Sequence, residues 1–283
     1  MDYELVTVIH PENENWKKQK KRLKESNAQV LSISPFPTFQ KVLKEEGVTG
    51  VNLLDSLTQR SHDEQSFLFF NQVDTAEYAE IFMNENWSIS LLLDGDEIGQ
   101  VITYPNTRRH VKEVHYFNLD GTVDFIEEYA DDGKLFSVLS YYKGKVQEID
   151  FVNDQRQPIL SYYFYEGTMP LVTVRNPKSF EIEEKYDDLT QFISKELAKK
   201  LTKEDTVSFT YLGKELSALR DSTSHNIFYL EEEPLDENGE VKGNLKSILL
   251  DEIQFVQTVR VSKKYAEKLQ EKGLLTEKVE ILD

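Results

Sequence analysis

The sequence predicts an α/β domain interrupted by a long antiparallel β-meander. Three observations carry this reading. Two apolar, strand-like runs near the N-terminus flank an amphipathic helical pattern; nine short β-rich runs separated by turn residues fill the middle of the chain from about Phe67; helix and strand patterns alternate again after Pro177. The implied organisation is a first α/β segment over 1–66, a β-sheet insertion over 67–175 and the remainder of the α/β domain over 176–283.

The first strand is read over Tyr3–His10 (YELVTVIH), apolar enough to be buried on both faces. Pro11, Glu12 and Glu14 then open a helix with the charge its N-terminal dipole prefers, running through WKKQKKRLKES. Gln29–Ser34 reads as a second strand, PFPTF as its exit, and Phe39–Glu46 as a short helix stopped by Gly47. A strand, helix, strand start predicts parallel pairing, because the crossover helix returns the chain to the same end.

From FLFFNQV (Phe67–Val73) to PLVTVR (Pro170–Arg175), runs of five to eight β-branched and aromatic residues alternate with turns. Gly121, Gly133, Gly144 and Gly167 are spaced by 12, 11 and 23 residues, with Asp154–Pro158 (DQRQP) in place of a glycine in the last interval. This is the spacing of sequential hairpins whose Asp-Gly and Lys-Gly turns supply positive φ. Neither strand parity is polar throughout LFSVLSYY, so these strands are either covered on both sides or present aromatic surface on both sides. After Pro177 the pattern turns helical: Leu189, Phe192, Ile193, Leu197 and Leu201 recur near a 3.6 period. TVSFTYLG and HNIFYL read as strands, and the C-terminal stretch as helix, strand and helix up to VEILD.

Composition narrows the function classes. Thirty-three basic against 51 acidic side chains give a net charge of −18, which repels nucleic acid and anionic lipid. There is no cysteine, so thiolate catalysis, thiolate metal sites and disulfides are excluded. No signal-like N-terminus and no spanning apolar run is present; the expectation is a cytoplasmic protein without direct membrane insertion.

No motif of catalysis stands out, and no catalytic residue, metal ligand or cofactor is assigned. His10, His62, His110, His115 and His225 lack metal-ligand spacing; His10 and His225, beside α/β strands, are the two placed to matter. Lys17–Lys24 reads as the solvated face of a helix anchored by Trp16 and Leu23, and EEEPLDENGE (Glu231–Glu240) as an acidic turn without calcium-loop ligands. The turn after the first strand, HPENENW, has no glycine to cradle a phosphate. Glu127 and Glu128 point to opposite faces of a strand, the wrong geometry for a paired acid and base. The candidate partner- or acceptor-binding residues are aromatic: Tyr129, Tyr141, Tyr142, Tyr162, Tyr163 and Tyr165, against ordinary cross-strand packing as the alternative.

The stretch from Arg108 to Tyr142 contains a valine-rich strand, an F-N-x-D-G turn and a second hairpin of the form Y-x-x-D-G-K-L. It resembles the GT-B glycosyltransferases with an inserted extended β-sheet domain, Gram-positive enzymes that glycosylate serine-rich surface adhesins and teichoic acids. Gln29–Gln59, with a strand, a proline, a short helix and then Leu54, Asp55 and Gln59, is similar to the opening of the accessory Sec system glycosyltransferase-like proteins. The resemblance implies a Rossmann-like domain of the GT-B N-terminal type. In that family a C-terminal domain holds the sugar nucleotide and the inserted sheet binds acceptor protein. It also implies a non-catalytic glycosyltransferase-like protein, or the N-terminal half of one, that binds a serine-rich repeat adhesin or a partner subunit of glycosylation and accessory Sec export; the chain is expected to stop before a second domain. Two alternatives stand beside it: the acceptor-binding half of an active glycosyltransferase, and an aromatic-hairpin carbohydrate-binding module.

Overall fold

The computed structural model describes residues 1–282. The chain opens with β1 (Asp2–Val6), α1 (Glu14–Ser26), β2 (Gln29–Ser32), α2 (Phe39–Glu46), β3 (Gly50–Asn52) and α3 (Leu53–Thr58). Helix α1 starts later than Pro11 because Asn13 caps it: the Asn13 side chain accepts from the Asn15 N–H at 2.8 Å. Trp16, Gln19 and Leu23 form its buried stripe. Four of its five lysines are paired with acids: Lys17 with Glu14, Lys18 with Glu231, Lys20 with Glu46 and Lys21 with Glu25. The basic run is thus a charge-paired helix surface.

Ten antiparallel strands follow: β4 (Glu80–Met83), β5 (Ile89–Leu93), β6 (Asp96–Thr103), β7 (Val111–Phe117), β8 (Val123–Tyr129), β9 (Leu135–Tyr142), β10 (Lys145–Val152), β11 (Pro158–Tyr165), β12 (Thr168–Arg175) and β13 (Ile182–Tyr186). They pair in strict sequence order, a meander with β4 and β13 at its edges. Every pair except β4–β5 carries a register irregularity, which bends strands and raises local twist.

Two expectations are corrected here. Phe67–Val73 is not a strand: Phe70–Gln72 is a single 3₁₀ turn, and only Phe69 forms a lone bridge, to His110. The Phe67 ring stacks on the His110 ring at 4.5 Å and the Phe69 ring meets it edge-on at 5.1 Å, so aromatic packing on the β6–β7 loop bends the segment out of extended pairing. At the other end the sheet outlasts Arg175, since β13 pairs with β12 after a turn in which Phe180 takes φ 59°.

The chain then returns to α4 (Leu189–Lys200), β14 (Thr206–Phe209), α5 (Lys214–Ala218), β15 (His225–Leu230), α6 (Gly243–Leu249), β16 (Thr258–Ser262), α7 (Lys263–Glu271) and β17 (Val279–Leu282). Seven parallel strands form one sheet in the order β17-β16-β15-β14-β1-β2-β3. Counted without the insertion, this is the doubly wound order in which the chain runs outward from β1 to one edge, then restarts beside β1 and runs to the other. One face of its centre is apolar, with Leu5, Leu31, Val207, Phe209, Phe228, Val259 and Val261 all buried, while the other carries Glu4, Ser208, Tyr229 and Arg260.

By contacts the chain divides into two units: residues 1–34, 42–53 and 190–283, and residues 35–41 and 54–189. The second unit has its own core of Val73, Ile89, Leu91, Val101, Val111, Val114, Tyr129, Leu135 and Val152.

Candidate functional site

In the α/β unit the order of the strands reverses between β1 and β14, and the crevice outside the C-terminal ends of such a pair is where open α/β sheets take ligands. A cavity of about 260 Å³ lies there, with Val6, Val8 and Trp16 among its apolar walls and His10, Asn13, Tyr211 and Glu215 among its polar ones. Tyr211 is fixed at the rim because Asn15 Nδ2 donates to its hydroxyl at 3.1 Å. Glu215 is buried, and its carboxyl accepts three backbone N–H groups: Thr7 at 3.3 Å, Thr210 at 3.1 Å and Tyr211 at 2.9 Å. Burial raises its pKa to about 7, with the Glu4 charge adding to the rise and the three N–H groups opposing it.

His10 is therefore at the crevice. His225 is not: it sits on one face of the parallel sheet, in a groove shared with Arg22, Tyr229 and Arg260. There the Tyr229 ring lies under the Arg22 guanidinium at 4.0 Å and its hydroxyl accepts from Arg260 at 2.6 Å. Among the described residues no group of three or more His, Asp or Glu side chains is placed to hold a metal ion.

In the antiparallel sheet, burial changes along the strands rather than between their two faces. In β9 the first three residues are buried and Tyr142 at the end is exposed; in β11 Ile159–Tyr162 are buried and Tyr165 is exposed. The β5–β6, β7–β8, β9–β10 and β11–β12 turns share one end because the strands alternate in direction, and a side chain added at Gly95, Gly121, Gly144 or Gly167 would meet nothing. Gly133, at the opposite end, is pressed against the backbone of Leu68.

This gradient separates the six tyrosines. Tyr142 and Tyr165 are exposed, at 63% and 68%, at neighbouring hairpin ends; Tyr141 and Tyr163 are half-buried. Tyr129 and Tyr162 are buried in the core. Tyr129 donates to Glu127 at 2.7 Å, while Tyr162 packs edge-on against Phe151 at 4.9 Å, in a cluster continued by Phe136. Tyr141 with Tyr162, and Tyr142 with Tyr163, occupy opposite faces by register.

The sheet edges differ in kind. Strand β13 presents Glu183, Glu184 and Lys185, the charged protection common on free edges. Strand β4 pairs only with β5 among the described residues and is flanked by exposed aromatics: Tyr78, Phe82 and Trp87 at 85%, 52% and 71%. Beside it a groove of about 550 Å³ is lined by Phe69, Phe70, Met83, Trp87, Arg108 and Arg109. Neither arginine forms an ion pair among the described residues. Sequence reasoning passed over this edge; the signal available was Arg108-Arg109 itself, next to a lone exposed tryptophan. It also passed over Glu215, because a five-residue helix carries no period to read.

No protein-family model and no curated protein sequence matches the chain. Solved structures do. All of this chain aligns with 60% of a chain of the Glycosylation Associate Protein (Gap123) complex from Streptococcus agalactiae, at a TM-score of 0.72 and 16% identity. It aligns over its whole length with 62% of a chain of the accessory secretory protein 1, 2 and 3 structure of Streptococcus pneumoniae, at 0.74 and 13%. The fold is GT-B glycosyltransferase-like. A third structure, the pneumococcal O-GlcNAc transferase GtfA in complex with UDP and GlcNAc, matches 99% of this chain at a TM-score of 0.75 and 12% identity. The chain spans about three fifths of the length of these structures. Among the described residues no helix is long and apolar enough to cross a membrane.

Proposed function

We propose that this chain is a glycosyltransferase-like, partner-binding protein of glycosylation and accessory export, and that it grips an extended serine-rich polypeptide or a partner subunit with its inserted sheet. The observation that carries this is the β4 edge: unpaired main chain, exposed aromatics and two uncompensated arginines at one place. An extended chain can add there by main-chain hydrogen bonds, which tolerate a repetitive, low-complexity sequence, while the aromatics supply contact area at little entropic cost. Tyr142 and Tyr165 offer a second contact at the hairpin ends. The partner reading is supported by likeness to the structures of the Glycosylation Associate Protein (Gap123) complex and of accessory secretory protein 1, 2 and 3.

The test is binding of a serine-rich repeat polypeptide and of candidate glycosylation and export subunits to the full chain by biolayer interferometry. Phe82→Lys with Trp87→Ala is expected to weaken binding at least about tenfold, the loss of one well-packed aromatic anchor; unchanged affinity for every partner overturns the reading.

A second reading, the acceptor-binding part of an active glycosyltransferase, is favoured by the likeness to a transferase holding UDP and GlcNAc. Transfer of sugar from a uridine sugar nucleotide by the whole gene product, absent when Phe82 and Trp87 are changed, would select it.

A further inference from the structure

The crevice between β1 and β14 has the position of a phosphate site and the donors of one. In doubly wound sheets, phosphates are held at this reversal point by clustered backbone N–H groups. Here the cluster is assembled from both sides: Thr7 follows β1, and Thr210 and Tyr211 follow β14. All three N–H groups converge on the carboxyl of Glu215, whose residue is only 1% exposed. The loop after β1, Thr7–Asn13, contains no glycine.

We infer that Glu215 is a built-in occupant of a phosphate cradle, a side chain that closes the crevice to phosphorylated ligands by filling both the space and the donors. Two further features fit this role. The carboxyl is delivered by Gly213-Lys214-Glu215, a tight step from the end of β14 into α5, so its backbone lies beside the donors it satisfies. Glu215 is the one carboxylate that lines the crevice and no lysine or arginine lines it, so a second anion entering meets a carboxylate and no permanent cation among the lining residues. What the crevice can take in this chain is an uncharged ligand, for which His10, Asn13 and Tyr211 remain at the rim. This assignment concerns the α/β unit alone and stands or falls separately from recognition at the β4 edge.

The experiment is thermal unfolding of the full chain in about 100 mM phosphate against chloride at equal ionic strength, with amide shifts of Thr7, Thr210 and Tyr211 as the local readout. The native chain is expected to melt at the same temperature in both. Glu215→Ala leaves three buried N–H groups without an acceptor; it should melt lower in chloride and gain about 3 °C or more in phosphate, with shifts at those three amides. Glu215→Gln, which keeps an oxygen in place, should gain nothing. Equal phosphate stabilisation of the native chain, equal stabilisation of the Gln variant, or none in the Ala variant overturns the inference. Should Glu215→Ala not fold in chloride, recovery in phosphate supports it and failure in both buffers overturns it.

Discussion

Arg22 Nη2 lies 2.6 Å from Glu4 Oε1, with only 2% of the Glu4 side chain exposed, and the same guanidinium reaches Glu231 at 2.8 Å. A carboxylate buried in the central strand of a parallel sheet is tolerated because an arginine from α1 neutralises it. Burial drives the Glu4 pKa upward and Arg22 pulls against that rise. Arg22→Met removes the counter-charge and leaves Glu4 stranded, so the chain should lose about 3–5 kcal/mol in urea unfolding. Glu4→Gln placed in that background should recover part of the loss, since an amide needs no counter-charge.

Glu215 gives the α/β unit a pH dependence of definite sign. Its folded pKa of about 7 lies above the ordinary 4.5, so between those values the folded state holds the extra proton. The contribution is fully present below 4.5, shrinks as pH rises through 7 and amounts to roughly 3 kcal/mol. Unfolding free energy measured from pH 4.5 to 8 should therefore decline with pH in the native chain, and decline less in Glu215→Gln. Subtracting the two curves isolates the Glu215 contribution; identical slopes would refute the assignment.

The glycines of the meander, alike in sequence, differ in consequence. Gly133 has φ 78°, and a Cβ there would fall 2.2 Å from the Leu68 nitrogen; Gly144 has φ 72° and open space around it. Gly144→Ala should cost only the left-handed backbone penalty of about 1 kcal/mol, and Gly133→Ala at least twice that, compared by denaturant unfolding. Arg156, at φ 61° in the turn after β10, already bears that penalty, so Arg156→Gly should leave stability unchanged or raise it.

Tyrosines three positions apart should respond oppositely. Tyr162→Ser opens a cavity against Phe151 and should cost about 3 kcal/mol or more. Tyr165→Ser, at a free hairpin end, should change stability by no more than about 0.5 kcal/mol and act, if anywhere, on partner affinity. Circular dichroism melts and binding titrations of the two variants separate the roles.

Much of the fold was legible because the information was local. Within the antiparallel sheet the positive-φ turns at Asp-Gly and Lys-Gly mark hairpin ends, and Asn153–Gln157 repeats the hydrogen bonding of Asn118–Thr122 with Arg156 in the glycine's place. What was hidden depends on contacts distant in sequence. Phe67–Val73 has strand composition, yet His110 captures its aromatics. The tyrosines could not be sorted by parity, because exposure here follows height along the strand. Glu215 became visible only when β1 and β14 brought three backbone donors around it.

The pairing of Tyr3 with Val207 at the centre of the parallel sheet sets an order of assembly. A chain leaving the ribosome has made β1, β2 and β3 long before β14 exists, and every neighbour of the antiparallel sheet is local by comparison. Hairpins close quickly, whereas a parallel contact across some two hundred residues waits on the whole intervening loop. The inserted sheet is thus the first body able to fold during synthesis, and the β4 edge, complete as soon as β5 has joined it, is available to a partner before the α/β sheet has been closed.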